Sequence, residues 1–358
     1  MTIARQGGRI LVEQLLVHGA DTAFSVPGES FLPVLDALHE HRKKLKLVTC
    51  RHESAAANMA EAHGKLTGRP GICFVTRGPG ATQASVGVHT AFQDSTPMIL
   101  FIGDVGSDFR DREAFQEVDF AAMFGPLAKW AARIDAIERI PEYIARAFSV
   151  AMSGRRGPVV LALPEDMLSA TATVEDARPY MPPHAEPGAS EMERLRDLLA
   201  AAKRPMVVLG GSGWTKDACD DIRRFAEANS LPVGCAFRRQ DLFDNRHAQY
   251  VGDVGIGINP ILAERVRTAD VLLLVGTRLG EMASSGYALL DSPVPRQKLV
   301  HVMTGPEELG RVYQPEIPIL ASMGRFARAA AAMAPVDAAA WKAGVPEARA
   351  DYLAWTAR

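Results

Sequence analysis

The chain has 358 residues, 47% apolar and 23% charged, with a formal net charge of −2. That length accommodates two domains with cores of their own, and the composition is that of an ordinary globular protein. The near-zero charge excludes the electrostatic footprint of a nucleic-acid or acidic-membrane binder, and no apolar run reaches the length of a membrane span, so neither partner is expected.

The first helical pattern runs through "GRILVEQLLVHGA" and stops at Gly19. The residues before it lack the small-residue cleavage site of an export signal. "TAFSV" reads as a strand that breaks at Pro27-Gly28, and "SFLPVLDALHEH" as a helix with Ser30 as cap and Pro33 in its first turn. Then come "LKLVTC" (strand), "ESAAANMAEAHGKL" (helix, closed by Gly68), "GICFVT" (strand), the turn "RGPGA", "TQASVGVHTAFQ" (helix) and "PMILFIG" (strand). "PEYIARAFSVAMSG" is helical and "GPVVLALP" extended. Short, almost wholly apolar strands alternating with helices predict a parallel sheet covered on both faces.

Residues 169–189 are rich in Pro, Ala and Glu without any period and read as a linker. A second βα series follows, with strands in "RPMVVLGG", "LPVGCA", "DVLLLVGT", "KLVHVM" and "PILASM". The expected architecture is α/β, two doubly wound parallel-sheet domains at 1–168 and 190–335, with an Ala-rich tail at 336–358. The second domain is Rossmann-like in pattern. Cys50, Cys73, Cys219 and Cys235 have neither metal-knuckle nor redox spacing, which points to a reducing, cytoplasmic compartment.

In an open parallel sheet, ligands gather beyond the carboxyl ends of the strands. In the first domain Pro27-Gly28, Glu53, Thr76 to Gly80 and Gly103-Asp104 all fall there. Glu53, beside Ala55, Ala56 and Ala57, suits proton sharing with a bound ring nitrogen. The alternative is a helix-start carboxylate stabilised by the helix dipole, worth about 0.3–1 kcal/mol. "TRGPGATQ" lacks the Gly-Lys-Ser/Thr ending of a phosphate loop and is otherwise a plain strand-to-helix turn. "EAFQEVDF", Glu113 to Phe120, reads as a pocket wall or a surface loop. In the second domain Gly210, Gly211 and Gly213 follow a strand without the third fingerprint glycine. The next strand ends in Arg238 and Arg239 rather than an acid, so NAD is not expected and packing glycines are the alternative. Gly276, Thr277 and Arg278 end another strand, with Arg278 suited to a phosphate or to solvent. No histidine set has metal-ligand spacing.

Taken together, "SVPGES", "RHESAAANMAEAHGKLTGRPGICFVTRGPGATQASVGVHTAFQDSTPMILFIGDV" and "EAFQEVDF" resemble the thiamine-diphosphate-dependent enzymes, most closely the catalytic subunit of acetolactate synthase. The resemblance spans Gly8 to about Pro164 and continues more loosely beyond. It implies that the first domain binds the pyrimidine half of thiamine diphosphate, with Glu53 on the aminopyrimidine nitrogen. Pro27, Gly28, Thr76, Pro79, Gly80 and Gln83 would lie on the cofactor side, and Phe115, Gln116 and Lys129 on the side of a 2-oxo-acid substrate. The implied reaction is decarboxylation with carboligation, a simple decarboxylase or lyase being the rival. The second domain resembles one that holds FAD in acetolactate synthases, which would engage Gly210, Gly211, Gly213, Gly276 and Arg278; FAD stays an open expectation. "SVPGES" in place of the usual "GYPGG", and Gln83 in place of an asparagine, depart from the family's pattern.

In that family a third domain holds the diphosphate and Mg2+ through Gly-Asp-Gly and a later asparagine. Here Gly103-Asp104 and Gly252-Asp253 are each followed by Val, so no metal ligand is expected in this chain. The tail is read as leading to an absent third domain. The chain would then be a fragment, one subunit of a split enzyme whose diphosphate-binding domain comes in cis or trans, or a non-catalytic binding module; the first is favoured. Alone it is expected to be inactive, and in the cell a homodimer or homotetramer.

Overall fold

A computed structural model describes residues 3–357 and divides the chain into two compact units, 1–183 and 184–358. In the first unit the strands are β1 (Arg5–Gln6), β2 (Thr22–Ser25), β3 (Lys46–Thr49), β4 (Gly71–Val75), β5 (Met98–Asp104), β6 (Trp130–Arg133), β7 (Pro158–Pro164) and β8 (Thr171–Ala172). The helices are α1 (Gly7–Val17), α2 (Leu32–Glu40), α3 (Glu53–Thr67), α4 (Pro79–Asp94), α5 (Phe120–Phe124), α6 (Ile140–Met152) and α7 (Glu165–Ser169). Six strands form one sheet in the order β3-β2-β4-β5-β7-β6, every pairing parallel. Both faces are covered: α1, α2 and α6 bury one core, α3, α4 and α5 the other. That is why β4, β5 and β7 are buried at every residue and read as unbroken apolar runs.

The chain leaves β2 toward one face, through α2, and leaves β4 toward the other, through α4. The two connections diverge, and a crevice opens between them at the carboxyl end of the sheet. The small-residue faces of α3 and α4 bring these helices close: a Cβ on Gly87 of α4 would stand 2.5 Å from the Cβ of Ala57. The alanines thus serve a helix–helix contact, with Ala56, Ala57 and Ala60 wholly buried.

The segment read as a linker belongs in large part to the first unit. β8 pairs antiparallel with β1, Asp176 accepts from Gln14 Nε2 at 2.6 Å, and the Tyr180 N–H donates to His18 Nδ1 at 3.1 Å. Side chains rather than an apolar period hold it down, so periodicity missed it. β6 was missed for a related reason: Trp-Ala-Ala-Arg is a half-buried edge strand with no apolar run.

The second unit contains β9 (Pro205–Leu209), β10 (Val233–Ala236), β11 (Tyr250–Val254), β12 (Val271–Val275), β13 (Lys298–Met303) and β14 (Ile317–Leu320). They form a parallel sheet in the order β11-β10-β9-β12-β13-β14. Its helices are α8 (Ala189–Ala201), α9 (Lys216–Ala228), α10 (Pro260–Thr268), α11 (Met323–Ala332) and α12 (Gly344–Thr356). The segment read as a tail is part of this core. Trp341 is only 7% exposed and donates through Nε1 to the carbonyls of Asn229 (3.2 Å) and Ser230 (3.0 Å). Tyr352 of α12 packs on Gly252 of β11, whose backbone sits at φ +128°. Gly252 breaks the apolar alternation, so the strand it belongs to was not foreseen. No helix among the described residues is long and apolar enough to cross a membrane.

Candidate functional site

The crevice between β2 and β4 gathers most of the residues singled out in the first unit. Ser30 Oγ lies 2.8 Å from Thr76 Oγ1, joining the two connections. A Cβ on Gly28 would stand 2.6 Å from the Thr76 Cβ, so only glycine lets the backbone after β2 come this close. On the other side, a Cβ on Gly80 would meet Thr76 Cγ2 at 2.9 Å and Glu53 Oε1 at 3.4 Å. The Glu53 carboxylate therefore lies against the first turn of α4, beside Thr76.

Glu53 opens α3, yet its carboxylate does not cap that helix. The cap is His52, whose Nδ1 accepts from the Ser54 N–H at 3.2 Å and lies 2.7 Å from Ser54 Oγ. With His52 taking the Ser54 N–H, the half-buried Glu53 carboxylate makes no hydrogen bond or ion pair among the described residues. A carboxyl held beside a small-residue turn, with its acceptor sites open, can bind an N–H or share a proton with a ring nitrogen. This arrangement fits the pyrimidine end of thiamine diphosphate. The neighbouring alanines are taken up in packing: Ala57 lies against Gly87 of α4, and Ala56 is buried in the same core. Pro79 is exposed at the start of α4, and Gln83 is exposed one turn further on, with no hydrogen bond to Glu53 or Thr76.

The loop after β5 reaches the same turn. Gly78, at φ +56°, faces Gln116, itself at φ +64°; a Cβ on Gly78 would stand 2.7 Å from the Gln116 Cβ. Gln116 thus meets the turn that carries Thr76 and Gly80, while Phe115 is 72% exposed. Glu117 shapes the loop by accepting from the N–H groups of Asp111 (2.7 Å) and Ala114 (3.0 Å), and those bonds hold its carboxyl below the usual range. Lys129 is not brought to the site. It precedes β6, at the amino end of the sheet, and its Nζ donates to the carbonyls of Val150 (2.5 Å) and Ser153 (2.6 Å) at the end of α6. Its role is to close a helix terminus.

Two features escaped the sequence reading. Arg133, at the end of β6, reaches past Ala162 of β7 to Asp104 at the end of β5, with Nε and Oδ2 2.8 Å apart. Burial pushes the Asp104 carboxyl up even with this partner. The pair lines a hollow of about 590 Å³ under residues 110–121. Arg77 is the second feature: it donates through Nε to the Phe115 carbonyl at 3.2 Å and pairs with Glu165. A charge inside a Gly/Pro turn is the signal that could have marked it.

In the second unit the corresponding crevice lies between β9 and β12. There the glycines pack on one another: a Cβ on Gly211 (φ +69°) would stand 2.1 Å from the Gly276 carbonyl oxygen, and one on Gly276 2.4 Å from that of Gly210. The Thr277 carbonyl accepts from His301 Nε2 at 2.9 Å, and burial keeps that imidazole below the usual histidine range. Close packing accounts for these glycines: Gly211 and Gly276 abut backbone, and a Cβ on Gly210 would stand 2.6 Å from the Thr277 Cβ. Gly213 is also left-handed, at φ +87°. No group of three or more His, Cys, Asp or Glu side chains suited to a metal ion occurs among the described residues.

Comparison with known proteins agrees with this division. Residues 5–123 match the model of the thiamine pyrophosphate enzyme N-terminal TPP-binding domain, and residues 192–330 that of the central domain. An acetolactate synthase of Mycobacterium bovis is 31% identical over 318 residues, 88% of this chain and 51% of the relative. The acetolactate synthase large subunit of Parasynechococcus marenigrum is 33% identical over 336 residues (89% and 52%), and the isozyme 2 large subunit of Escherichia coli 31% over 320 (87% and 56%). The chain spans about half the length of the curated relatives it matches. With two parallel sheets, a matched TPP-binding domain carrying the Glu53 crevice and a matched central domain, the chain belongs to the thiamine pyrophosphate enzyme family.

Proposed function

We propose that the β2/β4 crevice binds the aminopyrimidine ring of thiamine diphosphate, and that the chain supplies this half of the site of an acetolactate-synthase-like enzyme acting on a 2-oxo acid. One observation carries the reading: the Glu53 carboxylate is half-buried beside Gly80 and Thr76, with no partner of its own among the described residues. Glu53 would hold or return a proton at the ring nitrogen. Pro27, Gly28, Thr76, Pro79 and Gly80 would shape the pocket around the ring, with Gln83 at its exposed margin and Gln116 and Phe115 toward the substrate. When bound, the cofactor supplies the carbanion and the electron sink needed to decarboxylate a 2-oxo acid and join the product to a second carbonyl. The diphosphate and Mg2+ would be held by a diphosphate-binding domain in cis or trans, the assembly being a homodimer or homotetramer. A reducing, cytoplasmic compartment belongs to the same proposal. A flavin bound to the second unit would show as yellow absorbance in the purified protein.

The test is calorimetric titration with thiamine diphosphate and Mg2+, with and without an added diphosphate-binding domain. The expected result is weak binding by the chain alone, stronger binding with the added domain, and weaker binding in both after Glu53→Gln. Binding in both settings that is indifferent to Glu53→Gln would overturn the assignment.

A further inference from the structure

The turn Thr76–Gly80 makes three separate contacts. Gly80 meets Glu53, Gly78 meets Gln116, and Arg77 turns the other way. Its side chain is 11% exposed and joins three loops: Nη1 pairs with Glu165 after β7, Nη2 lies 3.8 Å from Glu29 after β2, and Nε donates to the Phe115 carbonyl after β5. A planar guanidinium can serve three directions at once, which a lysine ammonium on a flexible stem does less well. The neighbouring Asp166 is a second post: its Oδ1 accepts from the Ser107 N–H at 3.1 Å, tying down the start of the loop after β5.

The loop that Arg77 grips needs holding. Asp111, Glu113 and Gln116 all lie at positive φ, a region costly for residues with a side chain. Such backbone persists only where surrounding contacts over-determine it. Glu117 supplies one set, from inside the loop. Arg77 supplies the other at Phe115, next to the left-handed Gln116.

We propose that Arg77, anchored by Glu165, is a positioning residue that holds the Phe115–Gln116 turn against Gly78 and so sets the substrate-side wall of the Glu53 crevice. The first half of this proposal is independent of the reaction; the word "substrate" rests on the function proposed above. Glu29 stands at the rim of the same network and contributes least, being largely exposed.

The experiment compares wild type with Arg77→Met, Arg77→Lys and Glu165→Gln. Hydrogen exchange reads the peptide covering 111–118, with the core strand β5 as a folding control. We expect exchange in 111–118 to accelerate about tenfold in Arg77→Met and in Glu165→Gln, with partial rescue in Arg77→Lys and β5 unchanged. If β5 also accelerates, the milder Glu165→Gln decides; wild-type protection of 111–118 in a variant with intact β5 would overturn the proposal. In the assembled holoenzyme, Arg77→Met should raise the KM for the 2-oxo acid about tenfold while exchange of the cofactor's thiazolium proton stays at the wild-type rate, because Glu53 is untouched. An unchanged KM would overturn the substrate-side placement. A wild-type holoenzyme with no thiazolium exchange would instead refute the proposed function and leave the loop result standing.

Discussion

The two units place glycines at equivalent points, yet the crevices differ. In the first, Gly28 and Gly80 draw two connections together around Thr76 and leave a carboxylate beside them with no partner among the described residues. In the second, Gly210, Gly211 and Gly276 are spent on backbone contacts with each other. The same residue type at the same topological point leaves a carboxylate accessible in one case and packs closely on neighbouring backbone in the other. Each crevice has a polar atom without a partner, the Glu53 carboxylate in the first and Nδ1 of the buried His301 in the second; what separates them is that Glu53 is only half-buried and lies directly beside Gly80, where a ligand can reach it.

The largest effect should come from Glu53→Gln. It preserves shape and removes the exchangeable acid, so thiazolium proton exchange and turnover should fall by about 10²–10⁴ with the melting temperature nearly unchanged. Normal exchange in a folded Glu53→Gln variant would erase the distinction between the crevices. Next come the glycines themselves. Gly211→Ala puts a methyl 2.1 Å from a carbonyl oxygen at φ +69°, and should destabilise the second unit by about 3 kcal/mol or more in denaturant unfolding. Gly80→Ala meets the Thr76 methyl at 2.9 Å and Glu53 at 3.4 Å, and should cost about 1 kcal/mol of stability while weakening cofactor binding. If Gly211→Ala spares stability, or Gly80→Ala spares binding, the contrast fails.

The smallest effect concerns pH. Glu117 titrates below its ordinary value of 4.5 because the Asp111 and Ala114 N–H groups stabilise its charge. A carboxyl lowered in the folded state contributes stability that is present above its unfolded value and lost as pH falls through the folded one. The Asp111 and Ala114 amides should therefore be protected above pH 4.5 and loosen below it, as NMR amide shifts would record, and Glu117→Gln should abolish that dependence. A titration identical in Glu117→Gln would remove this carboxylate from the account of the loop.

Much of this was legible before any coordinates. The buried strands β4, β5, β7 and β12 are apolar at nearly every position because both sheet faces are covered, and that run is visible in one dimension. Glu53 was legible because a charged residue follows a strand and precedes a small-residue helix. Lys129 was misassigned for a symmetrical reason: it lies close in the chain to Gln116 but at the opposite end of the sheet, and proximity in sequence does not say which end of a strand a residue occupies. Segments 169–183 and 336–356 were missed as parts of the two units because isolated anchors, His18 with Tyr180 and Trp341 with Asn229, hold them in place.

By itself, then, the sequence determined the alternation of strand and helix, the two sheets and the carboxylate at residue 53, since each depends on local pattern and on apolar burial that recurs at short range. Tertiary structure alone decided that His52 takes the helix cap and leaves Glu53 without a partner, that Arg77 grips the loop bearing Gln116, and that the glycines of the second crevice close on one another. Those outcomes depend on which backbones approach within a few ångströms across distant stretches of chain, and no local pattern encodes that distance.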